Sequence, residues 1–107
     1  MKADDTPERG EPLEELIEIE VYGAKNEKPP KAKKYRIRID KVKHDVLKSH
    51  ISGRELVNLA GKDPTRCAIR QKLHGGQVKT IEADEEVDLT APGVERFMTL
   101  CHDQTDG

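Results

Sequence analysis

The sequence predicts an α+β domain in which a mixed sheet of four to five strands packs on one short helix. Three observations support this fold class. Apolar and charged residues alternate through residues 35–40, the pattern of a strand with one buried face. A helix start signal follows at Ser52, and apolar stretches of strand length come after that helix. Four strands and one packed helix suffice to form a small two-layer core.

Length and composition limit the chain to one small core. The 107 residues are 34% hydrophobic, 3% aromatic and 37% charged, and the mean hydropathy is −0.82. A chain of this length forms one domain, and this composition is too polar to fold compactly throughout. We therefore expect an aliphatic core within residues 35–102, a flexible arm over residues 1–34 and an exposed tail over residues 103–107.

The charge balance and the hydropathy profile argue against two classes of function. The 19 basic and 21 acidic residues give a net charge of −2, whereas a general nucleic-acid binder normally carries a basic excess. No apolar stretch reaches the length of a membrane span, and the first residues lack the apolar segment of a signal peptide. We expect a cytoplasmic protein without nucleic-acid or membrane partners.

The predicted arm divides into an acidic and a basic part. Residues 1–20 carry eight acidic side chains against two basic ones, and residues 25–34 carry five lysines against one acid. The basic part contains Pro29 and Pro30, which favour an extended backbone and cannot continue a helix. We place the domain boundary there and interpret the lysines as part of a solvated linker.

The predicted domain opens with a hairpin. Its first strand covers residues 35–40, where every second side chain is apolar and is expected to face the core. Its second strand covers residues 43–49 and is less regular, with Val46 and Leu47 as candidate inward-facing side chains. The short spacing between the two strands indicates an antiparallel hairpin.

A short helix follows the hairpin. Ser52 is a favourable N-cap residue, and Glu55 three positions later completes a capping box. Gly61 is typical of the residue that ends a helix, and Pro64 prevents its continuation.

Further apolar stretches complete the predicted sheet. The third strand is predicted at Cys67–Leu73, a Gly-Gly turn joins it to a fourth strand at residues 77–81, and the final strand covers residues 94 to 100 or 101. Val87 and Leu89 are expected in the core. Because the first and last strands both carry strong patterns, we expect them to pair in the middle of the sheet. This is the layout of a β-grasp domain.

The cysteines and histidines do not indicate a catalytic or metal site. Two cysteines, Cys67 and Cys101, are too few for the disulfide framework of a small domain, so we expect both to be reduced and buried. Cys101 and His102 do not form a catalytic pair because neighbouring strand residues point to opposite faces. The four histidines lack the paired spacing of metal ligands, so we expect no metal and no cofactor.

Several stretches of the sequence resemble one known family. They are KYRIRID at 34–40, ISGR at 51–54, LAGKDP at 59–64, QKLHGG at 71–76, VDL at 87–89, PGVERF at 92–97 and DQTDG at 103–107. In this order and spacing the sequence resembles the bacterial multiubiquitin family of ubiquitin-like proteins. The resemblance spans residues 33–107. It implies a ubiquitin-like β-grasp fold and a protein modifier rather than an enzyme.

The resemblance also implies partners and a reactive residue. Such modifiers are similar to those encoded beside an ATP-dependent activating enzyme, a conjugating enzyme and a JAB-type metallopeptidase, in gene clusters suspected to serve antiphage defence. The carboxylate of Gly107 would be activated, and the tail residues Gln104, Thr105 and Asp106 would enter the activating enzyme. Glycine leaves the carboxylate unobstructed. Asp106 replaces the penultimate glycine of ubiquitin, so the enzyme would need a matched pocket.

Two other functions fit the same fold class. A sulfur carrier converts the same terminal carboxylate to a thiocarboxylate, whereas a non-covalent interaction or assembly domain does not use Gly107. In the modifier, basic side chains on the sheet would supply contacts for the enzymes. The candidates are Arg36, Arg38, Arg70, Lys72 and Arg96.

A second candidate site lies in the acidic arm. Residues 16–22 alternate like a strand, with aliphatic side chains at Leu16, Ile17, Ile19 and Val21. Because an extended segment can add to a sheet edge, we expect it to dock on the second hairpin strand, near Lys41, Lys43 and Lys48. Docking on a neighbouring copy would give an oligomer. An extra strand of the same domain, a docking strand for an enzyme and a disordered segment are the alternatives.

Overall fold

A computed structural model of the protein describes residues 13–102. Within that range the elements, in chain order, are β1 (Glu14–Glu18), α1 (Ile19–Gly23), β2 (Ala32–Ile39), β3 (Val42–Val46), β4 (His50–Ser52), α2 (Gly53–Leu59), β5 (Cys67–Leu73), β6 (Val78–Ile81), β7 (Glu86–Asp88) and β8 (Val94–Cys101). Neither helix of this range is long and apolar enough to cross a membrane.

Six of these strands form one mixed sheet. β2 forms an antiparallel hairpin with β3 and pairs in parallel with β8 at Ile39 and Phe97, while β5 is antiparallel to both β8 and β6. The order across the sheet is β3, β2, β8, β5, β6, with β1 also on β2. The predicted pairing of the first and last strands of the domain is therefore confirmed. β4 and β7 pair separately.

β1 and β8 lie end to end along the same edge of β2. Arg36 of β2 pairs with Glu18 of β1 and with Asp45 of β3, so those two strands flank β2 on opposite sides. Ile39 likewise lies between β3 and Phe97 of β8. Because β8 occupies this edge beyond Arg36, β1 cannot continue along it and ends at Glu18.

The prediction of one strand over residues 16–22 is wrong in its second half. Ile19–Gly23 form α1, with Ile19 and Gly23 one helical turn apart and both buried. A Cβ atom on Gly23 would lie 1.9 Å from the carbonyl oxygen of Val94, so only glycine lets α1 approach β8 this closely. β1 is an extra strand of its own domain, and it lies on β2 rather than on the outer edge of β3.

Within the described part of the predicted flexible arm, β1 and the start of β2 belong to the sheet and α1 packs on it, whereas residues 24–28 are exposed. Ile17 and Ile19 belong to the core, and Pro29 is also buried. The five lysines of the predicted linker are exposed, and Lys28 Nζ also donates a 2.9 Å hydrogen bond to the carbonyl oxygen of Thr90. The physical reason is that the aliphatic residues of the acidic segment cover an edge of β2 that β8 leaves open.

One aliphatic core lies between the sheet and α2. Its largest fully buried side chains are Phe97, Ile19, Ile37, Ile39, Leu56, Ile69 and Leu89. The predicted capping box of α2 is confirmed. Ser52 Oγ accepts a 3.1 Å hydrogen bond from the Glu55 N–H, and Glu55 Oε1 accepts one of 3.0 Å from the Ser52 N–H. Gly61 follows the helix with a φ of 78°, as its predicted stop requires.

The strand predictions are confirmed in part. Cys67–Leu73 and Val94–Cys101 form β5 and β8 as predicted. The first hairpin strand begins earlier than predicted, at Ala32. The inward orientation predicted for Leu47 is wrong: β3 ends at Val46, and Leu47 in the following bend is 75% exposed. The ladder between β4 and β7 has no counterpart in the prediction.

Candidate functional site

The candidate reactive residue lies beyond the described part of the chain. Gly107 and the tail residues Gln104, Thr105 and Asp106 fall outside residues 13–102, and their role stays a prediction. The structure does describe the strand that leads to them, β8, and the residue that follows it, His102. The end of β8, with His102, is therefore the described part of the chain that lies nearest to Gly107 in sequence.

Asp40 fixes β8 at the point where β2 turns away from it. Asp40 follows β2 in a left-handed conformation with a φ of 57°, and its N–H donates a 2.8 Å hydrogen bond to the carbonyl oxygen of Phe97. Its carboxylate accepts hydrogen bonds from the Thr99 N–H at 3.0 Å and from the Thr99 hydroxyl at 2.7 Å. Thr99 is thus held by the turn between β2 and β3.

Beyond Thr99, β8 has a neighbouring strand on one side only within the described residues. Leu100 and Cys101 pair with the start of β5, and the His102 N–H donates a 2.9 Å hydrogen bond to the carbonyl oxygen of Arg66. Leu100 is 53% exposed, and Cys101 and His102 are exposed as well. Apolar packing therefore contributes little to holding this end of the sheet.

A disulfide bond joins Cys67 and Cys101 at the last pair of the β5–β8 ladder. The prediction of two reduced, buried cysteines is wrong, since Cys101 is exposed and Cys67 is half-buried. The sequence contained a signal for the bond. Cys67 begins the third predicted strand and Cys101 ends the last one, and antiparallel neighbours place such positions opposite each other. What the pattern lacked was evidence that these two strands are neighbours.

The face of the sheet that points away from the core is basic. Alternation along β2, β5 and β8 puts on this face the five side chains predicted to make exposed contacts, and all five are half-buried. Lys72 and Arg96 are direct cross-strand partners. We call this surface the outer basic face, and it comprises Arg36, Arg38, Arg70, Lys72 and Arg96.

Carboxylates neutralise part of the outer basic face. Arg36 donates hydrogen bonds of 2.8 and 3.1 Å to the two oxygens of Asp45, and this contact lowers the pKa of Asp45 below its ordinary value. Lys72 Nζ donates a 2.8 Å hydrogen bond to Glu95. Arg70 has no carboxylate partner within residues 13–102. Its charge is therefore the most available one on this face.

Glu20 of α1 links the N-terminal element to the same face. Its Oε2 lies 2.5 Å from a terminal nitrogen of Arg38 and 3.9 Å from one of Arg96. Arg38 Nε is buried without a hydrogen-bond partner in the described structure. Sequence reasoning missed Glu20 because its contacts depend on α1 crossing the start of β8, a non-local arrangement that no local pattern signals.

The four aliphatic residues of the predicted docking segment separate into two pairs. Ile17 and Ile19 are buried in their own chain, whereas Leu16 is 37% and Val21 50% exposed. The segment is therefore paired within the chain, and its two most buried side chains are not available to a partner. Self-association stays a prediction.

The predicted docking edge on β3 does not receive that segment. Within the described residues, the outer edge of β3 faces no strand. Lys43 contacts Glu18 of β1 across the outer basic face, and Lys48 contacts Glu55 of α2. Lys41 lies exposed in the turn between β2 and β3.

Between residues 13 and 102, no three His, Cys, Asp or Glu side chains are arranged to hold a metal ion.

Comparison with known proteins places the domain in a family. A family model described as multiubiquitin matches residues 35–101, which is more than half of the chain and includes β2 through β8 almost completely. β1 and α1 precede the match. Searches of curated proteins and of solved structures found no match. The mixed sheet with its helices is consistent with a ubiquitin-like fold, and the chain belongs to the multiubiquitin family.

Proposed function

We propose that this chain is a protein modifier that an ATP-dependent activating enzyme activates at Gly107 and that a conjugating enzyme transfers to a target. The family match over residues 35–101 carries the proposal. Two features of the structure support it. β8 lies inside the sheet and ends at Cys101, and Arg70 on the outer basic face has no carboxylate partner within residues 13–102.

The fold proposed for this modifier is a β-grasp. The support is the strand order β3, β2, β8, β5, β6 together with a single helix, α2, between the opening hairpin and β5. In this assignment β1 and α1 are additions to the family domain. They lie on the part of the β2 edge that β8 leaves open.

The proposed chemistry takes place at the carboxylate of Gly107. That carboxylate attacks the α-phosphorus of ATP, forming an acyl adenylate and releasing pyrophosphate. A cysteine or serine of the enzyme then attacks the acyl carbon, forming a thioester or an ester and releasing AMP. Glycine presents no side chain to the incoming nucleophile. Asp106 adds a second carboxylate next to the reaction centre, so the enzyme channel must accept a charged side chain there.

The outer basic face is the proposed contact surface for the enzymes. Complementary charge accelerates association and selects partners more than it adds affinity. An acidic enzyme surface would meet Arg70 without first displacing an internal carboxylate. Removal of the modifier by a JAB-type metallopeptidase, a cytoplasmic location and a role in antiphage defence belong to the same proposal.

The test is a reaction of the full chain with its cognate activating enzyme and Mg-ATP, followed by intact mass spectrometry. We expect an enzyme adduct with the parent chain and none after deletion of Gly107. Val21→Ala is the matched control, because it changes an exposed side chain of α1 and leaves the tail and its terminal glycine intact. No adduct with the parent chain would indicate a non-covalent domain, and exchange of a terminal oxygen for sulfur would indicate a sulfur carrier.

A second measurement tests the contact surface. Arg70→Glu reverses a charge on the outer basic face, whereas Arg54→Glu reverses one on α2, away from that face. We expect adduct formation to slow about tenfold for Arg70→Glu and to stay close to the parent rate for Arg54→Glu. Equal rates for both variants would remove the outer basic face from the proposal.

A further inference from the structure

We propose that the Cys67–Cys101 disulfide is a reversible redox site, at which small thiols control whether residues 100–102 stay paired with the start of β5. The bond and its surroundings are properties of the described residues. The consequence for the reach of Gly107 rests on the proposed function.

The disulfide constrains the end of β8 through its side chains. Asp40 holds Thr99, and no second strand flanks β8 beyond that point within residues 13–102. Leu100 is exposed and adds little packing. The bond to Cys67 therefore ties down residues that would otherwise depend on a few edge hydrogen bonds, such as the one from the His102 N–H to the Arg66 carbonyl.

The disulfide is accessible to a thiol. Cys101 is exposed at the end of the sheet. Cys67 lines a cavity of about 180 Å³ between α2 and the β5–β6 hairpin, beside Val57 and Pro64. Exposed disulfides are the ones that exchange readily with small thiols, whereas bonds buried in a core are protected. Both chain segments that meet at this bond lie at the surface.

The thiol–disulfide exchange proceeds in two steps. A thiolate attacks the Sγ of the exposed residue Cys101, forming a mixed disulfide, and the electron pair of the broken bond leaves on the Sγ of Cys67, which takes a proton from water. A second thiolate attacks the sulfur of the small thiol and releases Cys101 as a thiolate. In total two thiols are oxidised to their disulfide, and the protein gains two thiol groups.

Reduction moves the anchor of the C-terminal segment from His102 to Thr99. Asp40 holds Thr99 in both states, so the loss of order stops there. The three residues 100–102 then join the segment that leads to Gly107. At roughly 3.3–3.6 Å per extended residue they add about 10 Å to its reach. The oxidised form presents a short segment, and the reduced form presents a longer one.

The test compares amide hydrogen exchange of the full chain before and after reduction with glutathione, with thiols counted by alkylation and mass spectrometry. We expect residues 100–102 to lose their protection on reduction, by about tenfold or more. Core amides such as those of Ile37 and Ile69 should stay at least about 100-fold slower than in an unfolded chain. Cys101→Ser should reproduce the reduced pattern without any reductant.

Three results would overturn the proposal. One is unchanged protection of residues 100–102 when alkylation shows complete reduction. Another is loss of core protection in the same step, because the bond would then stabilise the whole domain rather than its end. The third is failure of oxidised glutathione to close the bond in the reduced chain. None of these measurements involves an enzyme, so they remain decisive even if Gly107 is never activated.

Discussion

The tight contact between Gly23 and β8 leads to a sharp prediction for Gly23→Ala. A Cβ at this position would lie 1.9 Å from the Val94 carbonyl oxygen and 3.0 Å from the Glu95 nitrogen. These are backbone atoms, so no rotamer change relieves the overlap. α1 must move away from β8, and the contacts that Ile17 and Ile19 make beside it are weakened.

The expected loss of stability follows from these contacts. Overpacking against backbone costs about 1–3 kcal/mol, and the intrinsic gain of alanine over glycine in a helix offsets up to about 1 kcal/mol. Detachment of β1 and α1 from the sheet sets an upper limit. It would expose Ile17 and Ile19, whose burial contributes roughly 1.5–3 kcal/mol each, and the entropy gained by the released segment would offset part of that loss. We expect a net loss of about 2 kcal/mol, or a fall in Tm of roughly 10 °C.

Urea denaturation and a thermal melt of the full chain measure this loss. Val21→Ala is the matched control, because Val21 lies on the same helix but is exposed, and its replacement should change stability by less than about 0.5 kcal/mol. A Gly23→Ala protein as stable as its parent would refute the reasoning. It would mean that α1 does not pack on β8.

Three further predictions concern single contacts. Ser52→Ala removes one half of the α2 capping box and should cost about 1 kcal/mol in urea denaturation, whereas an unchanged midpoint would show that water replaces the cap. Glu20→Gln leaves Arg38 and Arg96 without their shared carboxylate and should lower the free energy of unfolding by about 1 kcal/mol. Glu15→Gln, at an exposed ion pair, is the control and should lower it by less than about 0.5 kcal/mol. Equal effects would argue against a stabilising role of Glu20. The hydrogen bond from Arg36 lowers the pKa of Asp45 in the folded protein. The Asp45 carboxylate therefore stabilises the fold fully above the pKa it has in the unfolded chain, and this contribution is lost as the pH falls through its folded pKa. Asp45→Asn should therefore be less stable than the parent at pH 7 and equal to it near pH 2, in melts across that range; a difference that persists in acid would exclude an ionic origin.

The folded domain of this chain begins before the residues that the family model matches. The family match begins at Tyr35, in the middle of β2. The structure nevertheless continues β2 back to Ala32 and covers its edge with β1. A chain that starts at residue 35 would lose β1 and α1 altogether and expose that edge of β2. Exposed edges pair with other chains, so such a truncated protein is expected to aggregate.

Sequence reasoning succeeded where a local pattern had one structural solution. The two strands Cys67–Leu73 and Val94–Cys101 and the capping box at Ser52 and Glu55 depend on residues close together in the chain. It failed at Leu47, where the apolar pattern continues past the end of β3. It also failed at the cysteines, because a disulfide depends on which strands are neighbours.

The sequence by itself determined the order of β2, β3, α2, β5, β6 and β8, the start and stop of α2 and the aliphatic character of the core. Each of these follows from alternation, capping or composition within a short window. Only the tertiary structure decided three other features. The N-terminal segment lies on β2, its second half is helical, and Cys67 meets Cys101.

The physical reason is competition for a limited number of sheet edges. β1 and β8 share one edge of β2, so the point where β8 arrives decides where β1 must stop and turn into α1. The same arrangement leaves the end of β8 with β5 as its one neighbouring strand in the described chain, and there the disulfide closes the ladder. Alternation of apolar and polar residues identifies a strand, but the tertiary structure determines which strands lie beside it.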